Sequence, residues 1–227
     1  MINKHFYLFH GNVFAFNIAS CSCNPISSDL GRYYLERIEY LITNMGQLID
    51  DVINYSRVNF LEREYKKTDL YKLFKKIIRD LKDIITQKNA KISVAHLPVL
   101  NIIPQQIQQL FSNLIINSII FSKEGEDPKI KIESQSASSE EIIELEGNLD
   151  LDYVKICVID NGIGFEREYE TKVFEPFYRL HHDNQYKGSG LGLTLAKKIV
   201  ANHRGFIKAS SEKNAGTTMM IYIPLLN

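Results

Sequence analysis

Four short groups of residues have the types and spacing to act on one ligand. Asp160-x-Gly162-x-Gly164 follows the apolar run 153–159, which reads as a buried strand ending in a glycine-rich turn. A carboxylate there sits at a strand end, beside backbone that can approach a ligand closely. Asp160 can accept a hydrogen bond from an exocyclic amine such as the 6-amino group of adenine, and a buried contact of that type rejects bases lacking the donor. Asn113 and Asn117 are four apart and so share a helix face. Amides on an apolar helix need partners, and one fitting partner is Mg²⁺ between phosphates, because magnesium prefers a few oxygen ligands plus water. Lys187-Gly188-Ser189-Gly190-Leu191-Gly192-Leu193 opens a helix-patterned stretch, and glycines at a helix N-terminus present backbone N–H groups to an anion. The run lacks the Gly-Lys-Ser/Thr ending of a P-loop and the preceding strand of the dinucleotide fingerprint. Gly216-Thr217-Thr218 enters the last strand. Each group alone has a plainer reading: a tight turn, a solvated amide, a loop before a helix.

The elements that must position these groups follow from periodicity. Residues 34–58 carry Leu35, Ile38, Leu41, Ile42, Met45, Leu48, Ile49, Val52 and Ile53 at helical steps. That helix is roughly 35 Å long, and its stripe requires a second helix from this chain or another. Residues 60–68 are charged and read as a linker. Asp69 can cap a helix over 70–86. Strand signals cover 91–95, 97–100, 129–134, 153–159, 206–210 and 217–223. Pro104 can open a helix over 105–121, and Gly205 stops one over 191–203. Residues 136–152 are polar and acidic and read as a hairpin loop. The order predicts an α+β sandwich, with helices on one face of a mixed sheet.

Composition narrows the function classes. The 27 Lys and Arg balance 27 Asp and Glu, which gives no support to a nucleic-acid binder. The three cysteines are too few for a disulfide scaffold, and Cys21-Ser22-Cys23 has no second pair at zinc spacing; a reducing cytoplasm fits. No apolar stretch reaches the ~20 residues of a membrane span. Lys4, the apolar segment 6–19 and Cys21 loosely imitate a lipoprotein export signal.

Asn113-x-x-x-Asn117, Asp160-x-Gly162-x-Gly164, Phe174-Glu175-Pro176-Phe177-Tyr178-Arg179, Gly188-x-Gly190-x-Gly192 and Gly216-Thr217 resemble, in order, the N, G1, F, G2 and G3 boxes. These boxes mark the ATP-binding domain of two-component sensor histidine kinases, within the gyrase-like ATPase superfamily. The resemblance implies a Bergerat-type two-layer α/β sandwich over residues 61–227, preceded by a helical dimerisation-like region over 1–60. It implies ATP and Mg²⁺ as cofactors and a cytoplasmic setting. It also implies a homodimer or partner kinase through helix 34–58, and a response regulator as a partner class. Asp160 would hold adenine with Thr217 or Thr218 nearby, Asn117 would ligate Mg²⁺ and Asn113 would face the phosphates. Residues 165–190 would form a lid anchored on the core by Phe174 and Phe177. Gly162, Gly164, Gly188, Gly190, Leu191 and Gly192 would line the nucleotide, and Arg179 would reach the γ-phosphate. His181 and His182 read as solvated lid residues.

Two departures stand out. The family usually places Lys three residues after the second Asn, where this chain has Ile120; Lys123, one turn on, is the available substitute. Asn24-Pro25-Ile26-Ser27-Ser28 looks like the tail of the phosphoacceptor box, but the histidine position is then Ser20 and its acidic neighbour Cys21. The reading is therefore an ATP·Mg-binding histidine-kinase relative without its own acceptor histidine. The alternatives are a non-catalytic ATP-gated interaction module and a partner-directed serine kinase or ATPase on the same scaffold.

Overall fold

The structure is a computed structural model that describes residues 29–57, 64–180 and 189–225. The chain divides into one unit of residues 1–45 and another of residues 46–227. The described part of the first unit is helical. It belongs to α1 (Asp29–Arg57), whose last turns lie in the second unit. Here Arg32 and Glu36 pair across one turn at 3.9 Å. Ile38, Leu41, Ile42 and Met45 of the predicted stripe, with Tyr33 and Tyr34 beside it, are all at least 50% exposed, while Leu35 is half-buried. The phosphoacceptor-like residues Ser20 to Ser28, with Cys21 and Cys23, lie outside the described residues.

The second unit continues through β1 (Lys66–Asp69), α2 (Leu70–Asp80), α3 (Lys82–Gln87), β2 (Lys91–Val94), β3 (Val99–Ile102) and α4 (Pro104–Ile120). Then come β4 (Lys129–Ser136), α5 (Ser139–Glu144), β5 (Tyr153–Asp160), α6 (Gly192–Asn202), β6 (Phe206–Glu212) and β7 (Gly216–Pro224). Short 3-10 turns at Arg167–Tyr169 and Lys172–Phe174 lie between β5 and α6. Five strands form one mixed sheet in the order β2-β4-β5-β7-β6, with β2 parallel to β4 and the other neighbours antiparallel. β1 and β3 make a separate antiparallel ribbon.

Alternation along the strands decides which face is dry. Ile130, Ile132, Ile156, Val158, Ile221 and Ile223 point to one side and share a core with Leu70, Phe74 and Ile77 of α2, Leu110, Phe111 and Leu114 of α4, and Leu195 and Ile199 of α6. Phe74 and Phe111 meet with ring centroids 4.5 Å apart. The architecture is the α+β sandwich that the element order predicts.

His203, 1% exposed, ties two of these helices together. Its Nε2 accepts the Ile103 N–H at 3.0 Å, at the start of α4, and its Nδ1 lies 2.8 Å from the Ile199 carbonyl of α6. Only the neutral tautomer with the proton on Nδ1 satisfies both contacts. Burial lowers its pKa, in agreement with that neutral form.

Three local expectations are corrected. The helix predicted over 70–86 breaks at Leu81, whose backbone leaves the helical region; α3 beyond it buries no residue fully, though Ile84 and Ile85 pack against the core. The charged 60–68 stretch is not all linker. Lys66–Asp69 pairs with β3, because an edge ribbon needs backbone partners and no apolar pattern. The loop 136–152 contains α5, started by a capping box in which Ser138 Oγ accepts the Glu141 N–H and Glu141 accepts the Ser138 N–H. Its Ile142 packs with Tyr153 and Tyr222 on the sheet face away from the long helices, so that face is partly covered too.

Candidate functional site

Asp160 ends β5 on the same side as Ile156 and Val158, facing the helices. Its Oδ1 accepts the backbone N–H groups of Gly162 at 2.9 Å and Thr217 at 3.1 Å, and its Oδ2 accepts the Ser118 hydroxyl at 3.0 Å. A carboxylate has about four acceptor positions. The two donors on Oδ1 and one on Oδ2 leave a single acceptor position, on Oδ2. Burial pushes the Asp160 pKa up, against the three hydrogen bonds that lower it.

The turn after Asp160 is fixed from several sides. Ile163 donates its N–H to the Phe121 carbonyl at the end of α4, at 2.9 Å, and accepts the Asn214 N–H at 2.7 Å. Asn161 turns to the other strand, accepting the Lys129 N–H at 2.7 Å. Gly162 packs on the Phe121 carbonyl and Gly164 on the Glu212 carbonyl. Gly216 has φ +108°, and a Cβ there would fall 2.0 Å from the Asp160 carbonyl oxygen. No side chain fits that close approach of β7 to β5.

Ser211 completes the support. Its Oγ accepts the Phe165 N–H at 2.9 Å and lies 3.0 Å from the Gly216 carbonyl and 2.9 Å from Thr217 Oγ1. A hydroxyl has one proton. Once Ser211 gives it to the carbonyl, Thr217 is the donor to Ser211, and its own oxygen remains an acceptor. The Ser211 N–H donates to Glu170 at 3.0 Å, so one residue joins β6, the start of β7 and the segment after β5.

The amide pair lies one wall over. Asn113 and Asn117 are both half-buried on α4, and no hydrogen bond joins either amide to a described side chain. The α6 N-terminus approaches: a Cβ on Gly192 would lie 4.0 Å from Asn117 Nδ2. Among the described residues no side chain caps α6 and no acidic residue occupies its first turn, so its leading N–H groups and positive dipole end could receive an anion. The Leu191 N–H is held by Ser189 Oγ at 3.1 Å. Gly190 has φ +75°, and a Cβ there would meet the Phe177 backbone at 2.8 Å, which puts the glycine run against the Phe174 to Arg179 motif.

The structure thus gathers Asn117, Asp160, Gly162, Gly164, Gly190, Leu191, Gly192 and Thr217 around one junction of α4, β5, α6 and β7, with Asn113 a turn away. Two expectations are corrected. Thr218 pairs with Ile159 and alternates away from Met219, a core residue, so it faces the opposite side of the sheet and Thr217 is the threonine at the site. Phe174 is buried, but Phe177 is 59% exposed with φ +62°, so it does not anchor the segment on the core. Arg179 is half-buried. Lys123 lies 4.0 Å from Glu126, which draws it toward the α4–β4 loop. Lys187, Gly188, His181 and His182 lie outside the described residues. Ser118 and Ser211 were not singled out from the sequence. The only signal for Ser118 was its place directly after Asn117; Ser211 had none.

Known proteins share parts of this sequence and this fold. The family model described as Histidine kinase-, DNA gyrase B-, and HSP90-like ATPase matches residues 102–227. Phytochrome-like protein Cph1 of Synechocystis sp. is 33% identical over 193 residues, covering 84% of this chain and 24% of the relative. The chain therefore spans about a quarter of that protein's length. The nucleotide-free catalytic domain of histidine kinase ThkA superposes with a TM-score of 0.56 at 24% identity, covering 71% of this chain and 96% of that one. Full-length ShkA in complex with AMPPNP gives a TM-score of 0.64 at 18% identity, covering 88% of this chain and 40% of that one. These two structures share the fold.

Proposed function

From the premise that the chain belongs to the histidine kinase-, DNA gyrase B- and HSP90-like ATPase family, with an ATPase domain of the sensor histidine kinase type, we propose that it binds ATP with Mg²⁺ and passes the γ-phosphoryl group to a histidine on a separate acceptor. The observation that carries this reading is the Asp160 carboxylate, with one acceptor position left where α4, β5 and β7 meet. An adenine 6-amino group supplies the missing donor, and Thr217 offers an acceptor beside it.

The phosphates then run toward the uncapped N-terminus of α6, where backbone N–H groups and the helix dipole favour negative charge. Leu191 must exchange its Ser189 contact for a phosphate oxygen. The residues fit Mg²⁺: Asn117 presents an unengaged, half-buried amide one wall from that terminus, and Asn113 faces the same phosphates. When bound, the ion neutralises charge on the transferring group. Arg179 is assigned to the γ-phosphate, where a guanidinium stabilises charge that grows in the transition state. In this reading the ATP-binding domain is 61–227. The open stripe of α1 is a dimerisation or partner-kinase surface, a response regulator is the downstream partner, and the setting is cytoplasmic. Among the described residues no helix is long and apolar enough to cross a membrane.

A second reading, a nucleotide-gated interaction module without turnover, is favoured by one observation: Ile120 stands where the family places its phosphate-binding lysine. Calorimetric titration with ATP·Mg²⁺ tests the shared core of both. Binding to the wild-type chain and its loss in Asp160→Asn are expected. A wild-type chain that takes up no heat, or an Asn variant that binds ATP normally, sinks the assignment. Transfer of label from ATP to a supplied histidine-containing acceptor then separates the kinase from the module.

A further inference from the structure

We propose that the end of the sheet where β4 finishes and β5 begins is a self-association surface. Ile143 of one copy of this chain enters a concavity beside Val99 of a second copy, and the second copy returns the contact. This surface is separate from the α1 stripe and makes no use of the nucleotide site.

Apolar exposure is concentrated at this end. Outside α1, the large apolar side chains that stand exposed among the described residues are Tyr71, Val99, Ile143, Leu149, Leu225 and Phe177. All but Phe177 lie here. Val94 of β2 pairs with Ile132, and Ser134 Oγ donates to the His96 carbonyl, so the chain leaving β2 for Val99 passes the end of β4. Asp69 pairs with Val99, which brings Tyr71, two residues on, to the same place. α5 lies between the end of β4 and the start of β5, and the Leu225 N–H donates to the Asp152 carbonyl at 2.8 Å. Exposed apolar residues scattered singly need no explanation, whereas a group of them marks a contact surface.

The group has two halves of opposite shape and charge. One is hollow. Tyr71, Val94, Leu97, Pro98 and Val99 wall a concavity of about 410 Å³, with Asp69 and His96 as its polar lining. Two cations stand by it: Lys72 Nζ lies 3.6 Å from the Asp69 carboxylate, and Lys75 Nζ lies 4.5 Å from the centre of the Tyr71 ring. The other half protrudes. Ile142 packs inward with Tyr153 and Tyr222, so Ile143, the next residue of α5, points outward and is 60% exposed. Its surroundings are acidic, since residues 136–152 hold six carboxylates and no Lys or Arg. Glu141 and Glu144 pair with Lys155 and Lys208, while Glu140, Glu146, Asp150 and Asp152 have no ion pair among the described residues. An aliphatic side chain set among carboxylates fits an apolar hollow flanked by lysines, and this chain carries both. Because both lie at one end of the sheet, a two-fold axis there satisfies the two contacts together, the isologous arrangement. Each contact is small beside the ~1,600 Å² of a standard interface, so the pairing is weak and belongs to high protein concentration.

The test is sedimentation of the full chain carrying Leu41→Asp/Ile42→Asp, which takes away the α1 stripe, between about 5 and about 500 µM. Its mass is expected to double toward the upper concentration, and the step to weaken in about 0.5 M salt, which screens exposed charges. Adding Ile143→Lys is expected to raise the dissociation constant about ten-fold or more. Lys72→Glu/Lys75→Glu and Glu146→Lys/Asp150→Lys each set like charges against one another and are expected to do the same. Mixed in equal amounts, those two variants pair as well as their parent, because each contact then joins opposite charges. Rescue by mixing cannot come from a damaged fold, and thermal melts monitored by circular dichroism check each variant. A chain that stays monomeric throughout overturns the proposal, as does a dimer that Ile143→Lys leaves intact. A dimer lost in Ile143→Lys but kept in Lys72→Glu/Lys75→Glu seats another surface on α5 and overturns it too.

Discussion

At the scale of single residues, the site is built against its own stability. Asp160 has a folded-state pKa raised by burial above the unfolded value of about 3.9. Whatever stability its neutral form gives is complete below that unfolded value and is lost as pH rises through the folded one. Above the folded value the ionised side chain is therefore a cost to stability. Asparagine has the same shape. Its oxygen can accept from Gly162 and Thr217, and its amide can donate to Ser118. Asp160→Asn is accordingly expected to melt no lower than wild type at about pH 8 without nucleotide, with the difference shrinking toward acid, while ATP affinity drops by roughly 100-fold or more. Scanning calorimetry across pH beside a binding titration reads both. His203 gives the opposite slope. Its folded pKa is depressed, so its contribution is complete above about pH 6.5 and is lost as pH falls. Melting temperature is expected to decline on that acid side, and a His203→Gln chain should show a flatter profile. Asp160, Asn117 and the glycines were legible in sequence, because a strand end, a helical spacing and a glycine run are local signals. Ser118 and Ser211 were not, because a hydroxyl's role is decided by the strand that comes to stand opposite it.

At the scale of elements, α1 carries the plainest unmet demand. Ile38, Leu41, Ile42, Met45, Ile49 and Val52 are each 47–61% exposed on one helix. Burying a large aliphatic side chain is worth about 1.5–3 kcal/mol, and a helix with that stripe gains most from a second helix laid along it. We expect a self-associated chain at micromolar concentration, with Leu41→Asp/Ile42→Asp sedimenting as a monomer. The ATP binding proposed for residues 46–227 should be unchanged in that variant; equal sedimentation of the two chains rules out this surface. Where a breaker punctuates the chain, the predicted bounds hold within a residue or so, whereas α1, predicted over 34–58 with no start signal, begins five residues earlier at Asp29. α4 starts at Pro104 and α6 ends before Gly205, as their breakers require. β1, α3 and α5 were misread for a common reason. Each is a short polar piece that forms on a surface already made by others, so its own sequence carries little of the decision.

At the scale of the whole molecule, the nucleotide half and the acceptor half make separate demands that can be measured apart. The Asp160 carboxylate, the α6 N-terminus and the Asn117 amide all lie within residues 46–227, so nucleotide binding there should stabilise that unit by mass action. At a nucleotide concentration about 100 times the Kd the gain is about 2.7 kcal/mol, and for a unit of this size that raises the melting temperature by roughly 5–10 °C. Phosphoryl transfer onto the chain itself asks for something else, a histidine followed by a carboxylate, and the resemblance of residues 24–28 to the tail of the acceptor box implies Ser20 and Cys21 at those positions. His203, buried and hydrogen-bonded at both nitrogens, cannot take that role without breaking the link between α4 and α6. Incubation with γ-labelled ATP is therefore expected to raise the melting temperature while leaving no acid-labile label on the protein. Label that is lost in acid and kept in base, on the chain alone, shows an acceptor histidine elsewhere in it and restores self-phosphorylation. A melting temperature indifferent to ATP·Mg²⁺ removes the nucleotide half, and with it the ligand proposed for the open acceptor position of the half-buried Asp160.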